Sequence, residues 1–195
     1  MNIFFTNNDA IICADEHCIT HTNKMITEYA QMLSTAHRVL DGEPYRDEKN
    51  ILRHRLRDWR ETVLYKSTHV NHPCNKWVRS NVTNYNWLLV VLMRLCENYR
   101  LMKGKAQKVE LAVLDSLMNP PESMSEGEFS TPPFSAPDDM KAKINLNQDV
   151  TACYKEFIIQ KILLWEKYPE MGKREVNTEF YQEPVWYREI RQRVE

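Results

Sequence analysis

His17, His21, Lys24 and Glu28 are the residues of this 195-residue sequence whose types and spacing first suggest chemistry. A continuous helix would carry all four on one side, because each follows the last by three or four positions. A carboxylate beside an amine stays ionised and stabilises a developing cation, or acts as a general base where burial raises its proton affinity. The two imidazoles are proton carriers. The stripe lies roughly 100° from an apolar one, Met25, Tyr29, Met32, Leu33, Ala36 and Leu40, so its groups belong at the edge of the core. The competing reading is a solvated face with a Lys24–Glu28 pair worth a few tenths of a kcal/mol.

A second polar group, His69-Val70-Asn71-His72, precedes Pro73 and Trp77. Proline suits a first helical turn, and Asn71 is positioned to cap that helix. Asn84, Tyr85 and Trp87 follow, offering an amide and an aromatic wall for a planar ring. His69, Asn71, His72, Trp77, Asn84, Tyr85 and Trp87 are therefore expected to bind substrate. Arg53, Arg57 and Arg60 share one face if residues 45–66 are helical, either as a phosphate-contacting edge or as a solvated face paired with Asp58 and Glu61. His17 and His21 also have the spacing of metal ligands, but Cys18 stands where a zinc protease carries its glutamate, and neither a metal nor a cofactor is expected.

The elements that must position these groups are mainly helical. Four glycines are too few for the tight turns of a sandwich or barrel, and 43% hydrophobic residues with five Trp and nine Tyr suffice for one core. A single compact helical domain spanning 1–195 is expected, opening with a short strand or extended segment at residues 2–5. Helical periodicity runs from about Asp9 to Leu40, with a break near Thr20-His21-Thr22, and stops at Asp41-Gly42-Glu43-Pro44. Residues 43–66 read as a charged helical insertion through Leu52, Leu56, Trp59 and Val63. A central helix carries Trp87 to Met102 and closes at Lys103-Gly104-Lys105, and a shorter one covers about Lys108 to Leu117. Residues 119–149 form a long Pro-rich loop, Val150 to Tyr168 a packing helix, and 172–195 a docked tail holding Phe180, Trp186 and Tyr187.

Five cysteines without a C-x-x-C pair read as reduced, buried thiols. No apolar run approaches a membrane span, and the opening residues lack a secretory signal, so a cytoplasmic protein with no membrane partner is expected. A net charge of -1 excludes a broadly basic nucleic-acid coat.

Several of these stretches resemble a known family: Met-Asn-Ile-Phe at the start, Ala14-Asp15-Glu16-His17 through Lys24-Met25-Ile26-Thr27-Glu28, Gln31-Met32-Leu33, and Asn71-His72-Pro73 with Trp77. They are similar to the phage pyrimidine-dimer DNA glycosylases of the endonuclease V kind, over about the first half of the chain. The resemblance implies a compact helical fold, DNA or a nucleotide as partner, and the host cytoplasm as location. It also implies a primary amine that attacks the sugar C1′ and displaces the base, leaving a Schiff base that permits strand cleavage. Glu28 matches the family carboxylate. The family amine belongs to a small second residue; here Asn2 is bulky, so the amine is that of Met1, with Lys24 as the alternative. His17 joins by helical spacing alone. Two other readings stay open: a transferase that modifies phage DNA bases, and a non-catalytic binder of a nucleotide or a defence protein.

Overall fold

Two long helices carry the core. In the computed structural model, which describes residues 1–168 and 183–194, α1 (Ala10–Asp15) leads into α2 (Ile19–Asp41). Asp9 opens α1 by accepting the Ile11 and Ile12 N–H groups at 2.9 and 3.0 Å. The break between the helices lies at residues 16–18, earlier than its expected place near Thr20-His21-Thr22. Extended backbone at Cys18 there turns the chain, so His17 is in no helix.

After α2 the chain forms a hairpin, correcting the expectation of a helical insertion over 43–66. β1 (Glu43–Arg46) and β2 (Leu52–Arg55) pair antiparallel, with Glu43 opposite Arg55 and Arg46 opposite Leu52. Asp47 makes the turn by accepting the Lys49 and Ile51 N–H groups at 3.0 and 2.9 Å, while Asn50 takes the left-handed conformation at φ 60°. Local Asx-turn chemistry thus outweighs a helical spacing that only Leu56 uses for burial; Leu52 and Trp59 are exposed. Gly42 lets the hairpin close on the helix, since a Cβ there would approach the Arg55 carbonyl oxygen to 2.9 Å. Helix survives only as the single turn α3 (Arg60–Val63).

The next helices are α4 (Pro73–Val78) and α5 (Val82–Lys103). Asn81 caps α5 through the Asn84 N–H, and Gly104, at φ 66°, ends it with its N–H on the Arg100 carbonyl. Tyr85, Leu88, Val91, Leu92 and Leu95 of α5 bury against Met25, Tyr29, Met32, Leu33 and Ala36 of α2, with α1 on the same side of α5. Then come α6 (Lys108–Ala112), a 3-10 turn (Leu114–Leu117), α7 (Asp138–Lys141) and α8 (Val150–Lys167). In α9 (Val185–Val194), Tyr187 and Ile190 pack on Ile159 of α8; Phe180 and the rest of the expected docked tail before it lie outside the described residues.

The fold is therefore mainly α, one compact body with a single two-stranded hairpin among its described residues. Residues 1–7 belong to no sheet, yet Ile3, Phe4 and Phe5 are buried. The Pro-rich loop is pinned: Trp77 Nε1 donates to Ser130 O at 2.8 Å, and the Tyr154 hydroxyl contacts Pro133 O at 3.0 Å. All five cysteines are buried, and none forms a disulfide. Among the described residues no helix is long and apolar enough to cross a membrane.

Candidate functional site

The N-terminus is fixed before any ligand arrives. Asn75 of α4 donates its amide to Met1 Sδ at 3.0 Å and to the carbonyls of Thr68 and His69 at 3.0 and 2.9 Å. The Asn2 side chain donates to Ser135 O at 2.5 Å and accepts the Tyr154 hydroxyl at 2.7 Å. These contacts bury the Met1 side chain and aim its α-amino group at α2. The nitrogen stands 3.6 Å from Glu28 Oε2, and Lys24 Nζ stands 3.3 Å from Glu28 Oε1. Glu28 is 15% exposed, so its carboxylate faces two amines in a partly desolvated setting.

These groups line a cavity of about 320 Å³. One wall is the N-terminal segment and α2: Met1, Asn2, Phe4, Lys24, Met25 and Glu28. The other is the Pro-rich loop at Ser135, Ala136 and Pro137, with Phe157 and Lys161 of α8. His72 borders the amine: the α-ammonium charge helps lower its pKa, second to partial burial, and its Nε2 lies 3.4 Å from Ser135 Oγ. Glu28 and His72 thus both feel the charge of the same amine.

Several expected site residues lie elsewhere. His17 is a core residue: its Nδ1–H donates to Cys13 O at 2.7 Å, and Nε2 accepts the Tyr29 hydroxyl at 2.7 Å. Tyr29 oxygen in turn accepts the Phe4 N–H at 3.2 Å, so every partner is satisfied by neutral imidazole, and burial lowers the pKa to about 4. His21 stacks on Phe4 with ring centres 4.3 Å apart and meets Trp165 edge-on, and burial holds its pKa well below the ordinary value. Neither histidine lines the cavity: the break at 16–18 takes His17 out of the helical stripe, and His21, though within α2, is covered by Phe4.

His72, not Asn71, caps α4, its Nδ1 accepting the Cys74 N–H at 3.2 Å. Asn71 is exposed, as is His69, which sits in the left-handed region at φ 48° and bonds Thr68 Oγ1. The expected aromatic wall serves the Pro-rich loop instead. Trp77, Trp87 and Phe129 meet at 5.8–6.0 Å between ring centres. Asn84 donates to Ser130 Oγ at 2.9 Å and accepts the Ser130 N–H at 3.0 Å, while Tyr85 is buried on the far side, donating to Leu117 O. We expect Asn84→Ala to strand these partners and destabilise the fold by about 1–3 kcal/mol, with faster amide exchange at Ser130. Unchanged exchange there would contradict the pinning.

The three arginines form no phosphate edge, because the hairpin separates them and acidic groups neutralise them. Arg53 pairs with Asp47 at 3.1 Å, Arg57 with Glu43 at 2.6 Å, and Arg60 with Asp41 and Asp58 at 2.7 and 2.8 Å. Arg60 also donates to His37 Nδ1 at 3.0 Å; burial and that guanidinium lower the His37 pKa to about 4.

Two buried imidazoles with lowered pKa predict an acid-labile fold. Above pH 6.5 neither the folded nor the unfolded histidine is protonated. Below it only the unfolded one takes a proton, until about pH 4, so stability declines as pH falls through this window. At about 1.36 kcal/mol per unit, His17 and His37 should each remove about 2 kcal/mol by pH 5. Urea titrations at pH 7 and 5 with equal unfolding free energies would refute this.

Asn75 and Lys161 were not singled out in the sequence. Lys161 had a readable signal, since it interrupts an apolar i, i+4, i+8 series from Phe157 to Trp165. Asn75 had only its place two residues after Pro73. Among the described residues no group of three or more His, Cys, Asp or Glu side chains is arranged to hold a metal ion. No family model, no curated protein and no solved structure matches this chain.

Proposed function

We propose that this protein is a DNA-base enzyme of the glycosylase/lyase kind, with the Met1 α-amine as nucleophile and Glu28 as its carboxylate. The observation that carries the reading is the amine held 3.6 Å from Glu28 at a cavity wall. The amine, once its ammonium form has lost a proton to solvent, donates its lone pair to C1′ of a nucleotide sugar, and the glycosidic bond breaks with its electrons on the departing base, which takes a proton from solvent. Glu28 accepts the proton shed by the new C1′–N bond. The nitrogen lone pair then expels the ring oxygen, which takes that proton back, leaving an iminium. Loss of a C2′ proton to a base breaks the C3′–O bond, and the phosphate leaves with the electron pair.

Lys24 is the lesser candidate as nucleophile, since its side chain is 63% exposed while that of Met1 is 3% exposed. Sodium borohydride treatment of the protein with abasic-site DNA tests the reading. A covalent adduct mapping by mass spectrometry to the Met1 peptide is expected; no adduct, or one on Lys24 alone, would overturn it. The pairing of Arg53, Arg57 and Arg60 with carboxylates favours a second reading, a transferase modifying a DNA base or its nucleotide in the same cavity. Altered bases without strand breaks would be its product.

A further inference from the structure

Lys161 projects from α8 into the cavity opposite Glu28. Its ammonium is held by rings rather than by a carboxylate: it lies 5.1 Å from the Phe157 ring centre and 5.8 Å from those of Phe4 and Trp165. No ion pair joins it to a carboxylate among the described residues. Lys24 reaches the same cavity from α2, so the Met1, Lys24 and Lys161 amines converge where Glu28 is the one acidic lining residue.

We propose that Lys24 and Lys161 form a subsite for the phosphate group of a sugar phosphate. Two ammonium groups facing one half-buried space repel each other, and an oxyanion between them removes that repulsion while gaining two charge-assisted hydrogen bonds. Burial first and the Lys24 charge second lower the Lys161 pKa, and the Glu28 charge offsets this only in part. Ser135 lines the same space and adds a hydroxyl. The choice of phosphate rests on the proposed attack of Met1 on a nucleotide sugar, because phosphate is the anion such a sugar carries. A volume of about 320 Å³ admits a single nucleotide-sized unit, not a duplex. The phosphate therefore belongs either to a strand from which one nucleotide is extruded or to a free nucleotide.

Calorimetric titration with the tetrahydrofuran analogue of deoxyribose 5-phosphate, with the same analogue lacking phosphate, and with an oligonucleotide carrying it once, tests the subsite. The phosphorylated analogue should bind at least tenfold more tightly than the bare one. Lys161→Met should weaken phosphate-bearing ligands at least tenfold and leave the bare analogue unchanged, while Lys161→Arg restores binding. Equal affinities for the two small analogues, or native affinity in a folded Lys161→Met protein, would overturn the subsite. Tighter binding of the oligonucleotide assigns the phosphate to a strand, equal or weaker binding to a free nucleotide; both uphold the subsite. The analogues have no C1′ leaving group and form no imine. Phosphate-dependent binding without a borohydride adduct therefore keeps the subsite and removes the lyase reading, and an adduct with unchanged Lys161→Met binding does the reverse.

Discussion

Glu28→Gln is expected to slow formation of the borohydride-trapped adduct on abasic DNA by about 10²–10⁴-fold, with little change in melting temperature. The carboxamide keeps the shape but can neither take the proton shed at C1′–N bond formation nor hold a negative charge beside the iminium. Of the two ion pairs of Glu28, the one to Lys24 is an i, i+4 contact with an exposed partner, worth a few tenths of a kcal/mol, and the carboxamide oxygen still accepts a hydrogen bond from the Met1 amine. Lys24→Gln checks the identity of the nucleophile, the adduct being expected to stay on Met1. Trapping by Glu28→Gln at the native rate would remove Glu28 from the chemistry.

Arg38→Met is expected to produce the largest loss of stability, about 3–5 kcal/mol, read by urea unfolding. Arg38 is 2% exposed, and one guanidinium organises the hairpin and the chain after it. It donates to Tyr65 O, His54 O, Glu61 O and Leu64 O at 2.6–3.1 Å, and pairs with the Glu61 carboxylate at 2.5 Å. Methionine preserves much of the stem but leaves the carbonyls unsatisfied and a carboxylate without its cation. A loss below about 1 kcal/mol would mean that water replaces these contacts freely.

The long helices were legible because their apolar periodicity and their stop at Gly104 are local signals, and α2 and α5 pack as that periodicity requires. Glu28 and Lys24 were legible for the same reason, since these two members of the stripe line a common cavity with Met1. The hairpin was not, because Leu56, Trp59 and Val63 imitate a helix while the Asx turn at Asp47 sets the backbone. His17 misled through spacing alone, since side chains share a face only if the helix continues and residues 16–18 interrupt it; His21 keeps its place on α2, but its ring is stacked under Phe4. The aromatic cluster at Trp77 and Trp87 was a real cluster with a different occupant, the chain's own Phe129. What remained hidden was long-range: nothing near Asn75 in sequence announces that it holds Met1, or near Lys161 that it faces Glu28.

The amide of Asn2 has a kinetic corollary. Its bond to the Tyr154 hydroxyl spans 152 positions, so the first segment cannot settle until α8 has been made and docked. Contacts this remote are slow to form, because loop closure must precede them. During synthesis on the ribosome the amine therefore stays uncommitted, and an emerging chain lacks the chamber in which the amine would react. Any activity that depends on this chamber switches on only after α8 has been synthesised.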